Sequence, residues 1–137
     1  MAKARNTKPA VDPIFAAIEA HRHATAVRYP IFEARMTTSD SDPDSAAIDD
    51  ELAAACEAEI EAQAALTNIL ATTIPGLMAV TVHVSKLTNN GHDWIGGDLI
   101  DEDAGDTEPR SFEACLIRSC AAALAQINGV TAISARS

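Results

Sequence analysis

Apolar positions recur at helical spacing along most of this chain, most regularly from Ala46 to Thr72 (AAIDDELAAACEAEIEAQAALTNILAT). Ile48, Leu52, Ala55, Ala62, Leu66 and Ile69 fall on one stripe, interrupted by Glu59. The stretch holds no Gly or Pro and is dense in Ala, Glu and Leu, which lose least on entering a helix. It predicts a long central helix, of roughly 40 Å at 1.5 Å per residue, that must be covered by the remaining helices.

Asp12-Pro13 predicts a helix start, with Asp12 as cap and Pro13 in the first turn. Ile14, Ile18, His21, Thr25 and Phe32 continue it at helical spacing. Pro30 removes a backbone hydrogen bond and crowds the preceding turn, at about 3 kcal/mol, so the helix is expected to kink or end near Arg28, with room for a shorter helical piece to resume through Met36. Thr37 to Ser45 is a polar linker. Asp49, Asp50 and Glu51 follow it and are expected near the positive end of the central helix.

ATTIPG, residues 71–76, is a corner in which Thr72 or Thr73 caps a third helix and Pro75 sits in its first turn. Leu77, Val80, Thr81, Val84 and Leu87 form its stripe. Val80, Val82 and Val84 also alternate as a strand would, but the chain offers no partner strand, so helix is the reading. Asn89-Asn90-Gly91 ends this element, and an acidic loop follows through residues 92–106. Its apolar residues Trp94, Ile95, Leu99 and Ile100 are expected to pin it, with Trp94 docked on the core and the acids in water. The last helix is predicted from Thr107-Glu108-Pro109 to Asn128-Gly129, burying Leu116, Ile117, Cys120, Leu124 and Ile127.

Composition agrees with an all-α fold: a small antiparallel helical bundle, a single domain over 1–137, with 1–11 and 129–137 as tails. Alanine supplies much of the apolar content and aromatics are few, which suits closely approaching helices better than a sandwich or barrel. Charge is uneven. Residues 36–71 carry nine acids and no base, within a net charge of −10. That argues against nucleic acid as a direct partner, because phosphate neutralisation needs a basic face. No apolar run reaches the length of a membrane span. Cys56, Cys115 and Cys120 read as reduced thiols of a cytoplasmic protein, and no secretory signal is visible.

The segments DPIFAAIEAHR, ATTIPGLMAV and GDLIDEDAGDTEPRSFEACL resemble a set of small, acidic, uncharacterised helical proteins common in alphaproteobacterial genomes. The resemblance spans about residues 12–128. It implies a bacterial, cytoplasmic protein of helical hairpins, and no activity, cofactor or site residue comes with it.

Candidate chemistry is sparse. Asp101, Asp103, Gly105 and Asp106 partly imitate a calcium loop, but the glycine is one position early and Phe112 stands where a bidentate Glu is required. His21, His23, His83 and His92 offer imidazoles, and Glu19 shares a helix face with His23. The paired Glu-x-x-His motifs of a di-iron bundle are absent. Cys56 lies among Ala and Glu, without the electropositive surroundings of a reactive thiol. Ser111 is explained by helix capping, and Gly96-Gly97 alone makes no phosphate loop. The sequence therefore assigns no catalytic, cofactor-binding or metal residue. It favours a helical interaction or structural protein that self-associates or binds a protein partner. The alternative is a small-ligand or divalent-metal-binding protein using the histidines and residues 92–106. A convergence of His83 or His92 with Asp93 or Asp98 would favour the latter.

Overall fold

A computed structural model describes residues 11–95 and 111–129; residues 1–10, 96–110 and 130–137, which include most of both predicted tails, most of the predicted acidic loop and the predicted start of the last helix at Thr107-Glu108-Pro109, lie outside the described residues. These form four helices, α1 (Ile14–Thr37), α2 (Ser45–Asn68), α3 (Ile74–Asn89) and α4 (Phe112–Ile127), with no strand among them. The fold is all-α, and the helical reading of Val80 to Val84 holds.

The pairing of side chains gives the topology. Arg28 meets Glu59 and Arg35 meets Asp49, so α1 and α2 run antiparallel. Asp12 meets Thr73 and His21 meets His83, so α3 runs alongside α1 in the same direction. α4 starts near the level of His21, where Trp94 stacks on Phe112. Farther along, its Leu116 to Ala123 face Ile14, Leu66 and Leu77, so α4 descends opposite to α1. Each helix thus packs mainly on two others, α1 on α2 and α3, and α4 on the same pair. Because α1 and α2 have 24 residues each and α3 and α4 have 16, the first hairpin projects beyond the four-helix part by about 12 Å.

The apolar core is Ile14, Ala17, Ile18, Leu66, Ala71, Val80, Val84, Phe112, Leu116 and Ala123. It depends on one buried carboxylate at its base. Asp12 Oδ1 accepts from the Ile14 amide at 3.1 Å, while Oδ2 accepts from the Thr72 and Thr73 amides and the Thr73 hydroxyl at 2.7–3.0 Å. Asp12 therefore ties the start of α1 to the corner before α3. Thr73 then caps α3 by accepting from the Gly76 amide at 3.1 Å, with Pro75 in the first turn as expected. Gly76 must lack a side chain, since a Cβ there would lie 1.9 Å from Asp12 Oδ2.

Several expectations are corrected. Of the two outcomes expected at Pro30, an end near Arg28 does not occur: α1 continues through Pro30 to Thr37. Pro30 is solvent-exposed, and pairing with α2 on both sides of it, at Arg28 and Arg35, offsets the lost hydrogen bond. The cap residue of α1 is Pro13, not Asp12, although Asp12 still takes a first-turn amide. α2 stops at Asn68, where the corner begins, and starts at Ser45, so its first turn holds no acid. Asp49 instead pairs with Arg35. α4 buries Phe112, Leu116 and Ala123 and leaves Ile117 and Leu124 69% and 42% exposed. Its described start is capped by Ser111, which accepts from the Ala114 amide at 3.2 Å. Cys56, Cys115 and Cys120 are free and half-buried, and burial raises the Cys120 pKa.

Candidate metal centre

The residues that interrupt the apolar stripes converge. One turn separates His21 from Thr25 on α1, and one turn separates Glu59 from Gln63 on α2. The antiparallel packing of α1 on α2 brings His21 and Glu59 into one cluster, with Arg28 reaching Glu59 from farther along α1. α3 contributes His83. The chain after α3 turns at Gly91, whose φ of +76° suits glycine, and delivers His92 and Trp94 over the cluster. His21 and Glu59 are fully buried, and Gln63, Arg28, His83 and His92 expose 8% or less.

Trp94 closes the cluster. Its ring stacks on Phe112 at 4.4 Å and on His21 at 5.4 Å, meets His92 edge-on at 4.6 Å, and donates from Nε1 to Thr88 Oγ1 at 3.1 Å. The expected docking of Trp94 is thus observed. Ile95 is half-buried, while Leu99, Ile100 and the acids from Asp98 to Asp106 lie outside the described residues.

Every candidate ligand is held from behind. His21 Nδ1 lies 3.0 Å from His83 Nε2, and His92 Nδ1 lies 3.3 Å from the Tyr29 hydroxyl. Glu59 Oε2 accepts from Arg28 Nε, leaving Oε1 with a long 3.4 Å contact to Arg28 Nη2. One ligand atom each from His21, Glu59 and His92 lie within 4.8 Å of one another. His92 Nε2 is 3.2 Å from Glu59 Oε1, but not aligned for a hydrogen bond. His21 Nε2, His92 Nε2, Gln63 Oε1 and Thr25 Oγ1 are all buried without a hydrogen-bond partner.

The electrostatics keep the imidazoles neutral. Burial, then the nearby His83, His92 and Arg28, pushes the His21 pKa down to about 4. Burial also lowers His83, with Arg22 and His92 adding to it against Glu19. At His92 burial outweighs the attraction of Glu59, so the 3.2 Å approach is not an ion pair. A neutral imidazole keeps the lone pair that a metal ion needs.

Of the four histidines named from sequence, His21, His83 and His92 come together; His23 is exposed, as is Asp93, and Asp98 lies outside the described residues. The carboxylate that joins them is Glu59. Sequence reasoning missed Glu59, Arg28 and Gln63 as site residues. The available signal was Glu59's place on the apolar stripe of α2, matched by His21 on that of α1.

Compared with protein families, curated proteins and solved structures, the chain shows no match. Among the described residues, no helix is long and apolar enough to cross a membrane.

Proposed function

We propose that the protein binds a first-row divalent metal ion through His21 Nε2, His92 Nε2 and Glu59 Oε1. The observation that carries this reading is the pair of buried imidazole nitrogens without partners, gathered with a carboxylate oxygen. A purely structural polar network satisfies its own members, because each orphaned buried group costs about 1–3 kcal/mol. This cluster leaves two imidazole nitrogens orphaned, His21 Nε2 and His92 Nε2, each able to offer a lone pair. Two imidazoles and a carboxylate suit zinc or iron(II) better than calcium or magnesium, and three protein ligands leave a position for water or a small molecule. The 3.2 Å between His92 and Glu59 is close to the ligand–ligand spacing of about 3.4 Å implied by tetrahedral bonds near 2.05 Å. Arg28 competes for Glu59, holding Oε2 through Nε and reaching Oε1 only through the long 3.4 Å contact of Nη2, while Oε1 lies 3.2 Å from His92.

Calorimetric titration of chelator-treated protein with zinc tests this directly. One equivalent should bind, and His21→Ala, His92→Ala and Glu59→Gln should each weaken it at least about tenfold. His23→Ala, on an exposed side chain, should change nothing. Zinc binding that survives both His21→Ala and His92→Ala would remove the proposal.

A second reading, association with another helix or copy, draws support from the projecting end of the first hairpin. There Phe32 and Met36 are 41% and 71% exposed. Sedimentation of the wild type against Met36→Glu tests it, a monomer in both cases counting against association.

A further inference from the structure

We infer that His83 is a positioning residue that fixes the tautomer of His21, holding its proton on Nδ1 so that Nε2 faces the cluster as a bare lone pair. One proton lies between His21 Nδ1 and His83 Nε2, 3.0 Å apart, and two neutral arrangements place it. If His83 donated, His21 would carry its own proton on Nε2, an atom wholly buried and without an acceptor aligned to it. An orphaned N–H is rarer and costlier in protein interiors than an under-used acceptor. If His21 donates, its Nε2 becomes the acceptor, and the second proton of the pair moves to His83 Nδ1.

His83 has room to hold that proton. Its side chain walls a groove of about 790 Å³ between α1 and α3, lined also by Phe15, Arg22, Met78 and Val82. Neither of its ring nitrogens is among the buried orphans. The hydrogen bond made by one imidazole nitrogen sets the state of the other, and a buried ligand so oriented needs no rearrangement on binding. The consequence for metal affinity rests on the metal-binding reading, but the tautomer itself does not.

Long-range proton–nitrogen NMR of histidine-labelled, metal-free protein separates the two. His21 should show its proton on Nδ1, against the Nε2–H preference of a free imidazole. His83→Met removes the acceptor and should return the proton to Nε2. His83→Gln, whose side-chain carbonyl can take the same hydrogen bond, should keep it on Nδ1. Zinc affinity should follow, falling about 10–100-fold in His83→Met and recovering in His83→Gln. A wild-type His21 protonated on Nε2, or a His83→Met protein with tautomer and zinc affinity unchanged, overturns the assignment. A wild type with the Nδ1 proton but no zinc binding supports the role of His83 and overturns the metal-binding reading instead.

Discussion

Removing Arg28 should destabilise this protein more than removing Arg28 and Glu59 together. Glu59 is fully buried, Arg28 is 6% exposed, and the guanidinium reaches the carboxylate through Nε and, at 3.4 Å, Nη2. Two unit charges about 4 Å apart at an effective dielectric near 20 attract by about 4 kcal/mol. That attraction offsets the cost of bringing both ions out of water, so the pair adds little net stability. Its loss on one side is different, because Glu59 is then a buried charge with neutral imidazoles and Gln63 around it. Arg28→Met should cost about 3–5 kcal/mol, or about 10–20 °C in Tm at roughly 4 °C per kcal/mol. The double variant Arg28→Met/Glu59→Leu, which exchanges the ions for apolar groups of similar bulk, should return to within about 1 kcal/mol of wild type. Urea unfolding of wild type, both single variants and the double variant gives the coupling energy. A single Arg28→Met that costs less than about 1 kcal/mol, or a double variant as unstable as the sum of the singles, would refute the reasoning.

Leu66→Ala should lower stability by about 2–5 kcal/mol in the same assay, since Leu66 is 1% exposed at the centre of the apolar core. Gly76→Ala should destabilise despite alanine's better helix propensity, because the new Cβ meets Asp12 and Ile14; a higher Tm would contradict the close approach at that corner. For Asp12, burial alone raises the pKa, but the hydrogen bonds from Thr73, Ile14 and Thr72 outweigh it and hold the folded value below 3.8. Its stabilisation is therefore complete above that pH and lost as pH falls through the folded value, and an Asp12→Asn protein should lack this acid limb in a stability–pH profile. For His21 in the metal-free protein the folded pKa of about 4 lies below the ordinary 6.5. Between these the unfolded chain binds the extra proton, so stability should fall by about 3 kcal/mol as pH drops from 6.5 to 4. His21→Gln should remove its share of that slope, leaving what His83 and His92, also lowered by burial, contribute.

The helices were legible because their signals are local: a breaker-free Ala/Glu/Leu run for α2, and the Thr73–Pro75 start of α3. Pro30 misled because its cost is local while its compensation, packing of α1 on α2 at Arg28 and Arg35, is not. On α4, spacing alone did not separate the face of Leu116 and Ala123 from that of Ile117 and Leu124, since both are apolar. The cluster was harder still. His21, His83 and His92 were visible as residue types, but their convergence depends on α3 running parallel to α1 and on the turn at Gly91. In the sequence, Glu59 is a defect in a stripe. Its burial follows only once Arg28 is opposite it, and that pairing is a property of register rather than of either helix.

Trp94, the only tryptophan in the chain, lies against two of the three candidate ligands, stacked on His21 and edge-on to His92. An indole in that position is an optical gauge built into the molecule. Its emission responds to whatever happens to those two rings, with no background from a second tryptophan. Cobalt(II) or iron(II) held by His21 and His92 would quench it at contact range, whereas zinc, with a filled d shell, would leave most of the intensity and shift only the band. Were an ion bound there, the protein would report both its occupancy and its electronic character without any added label.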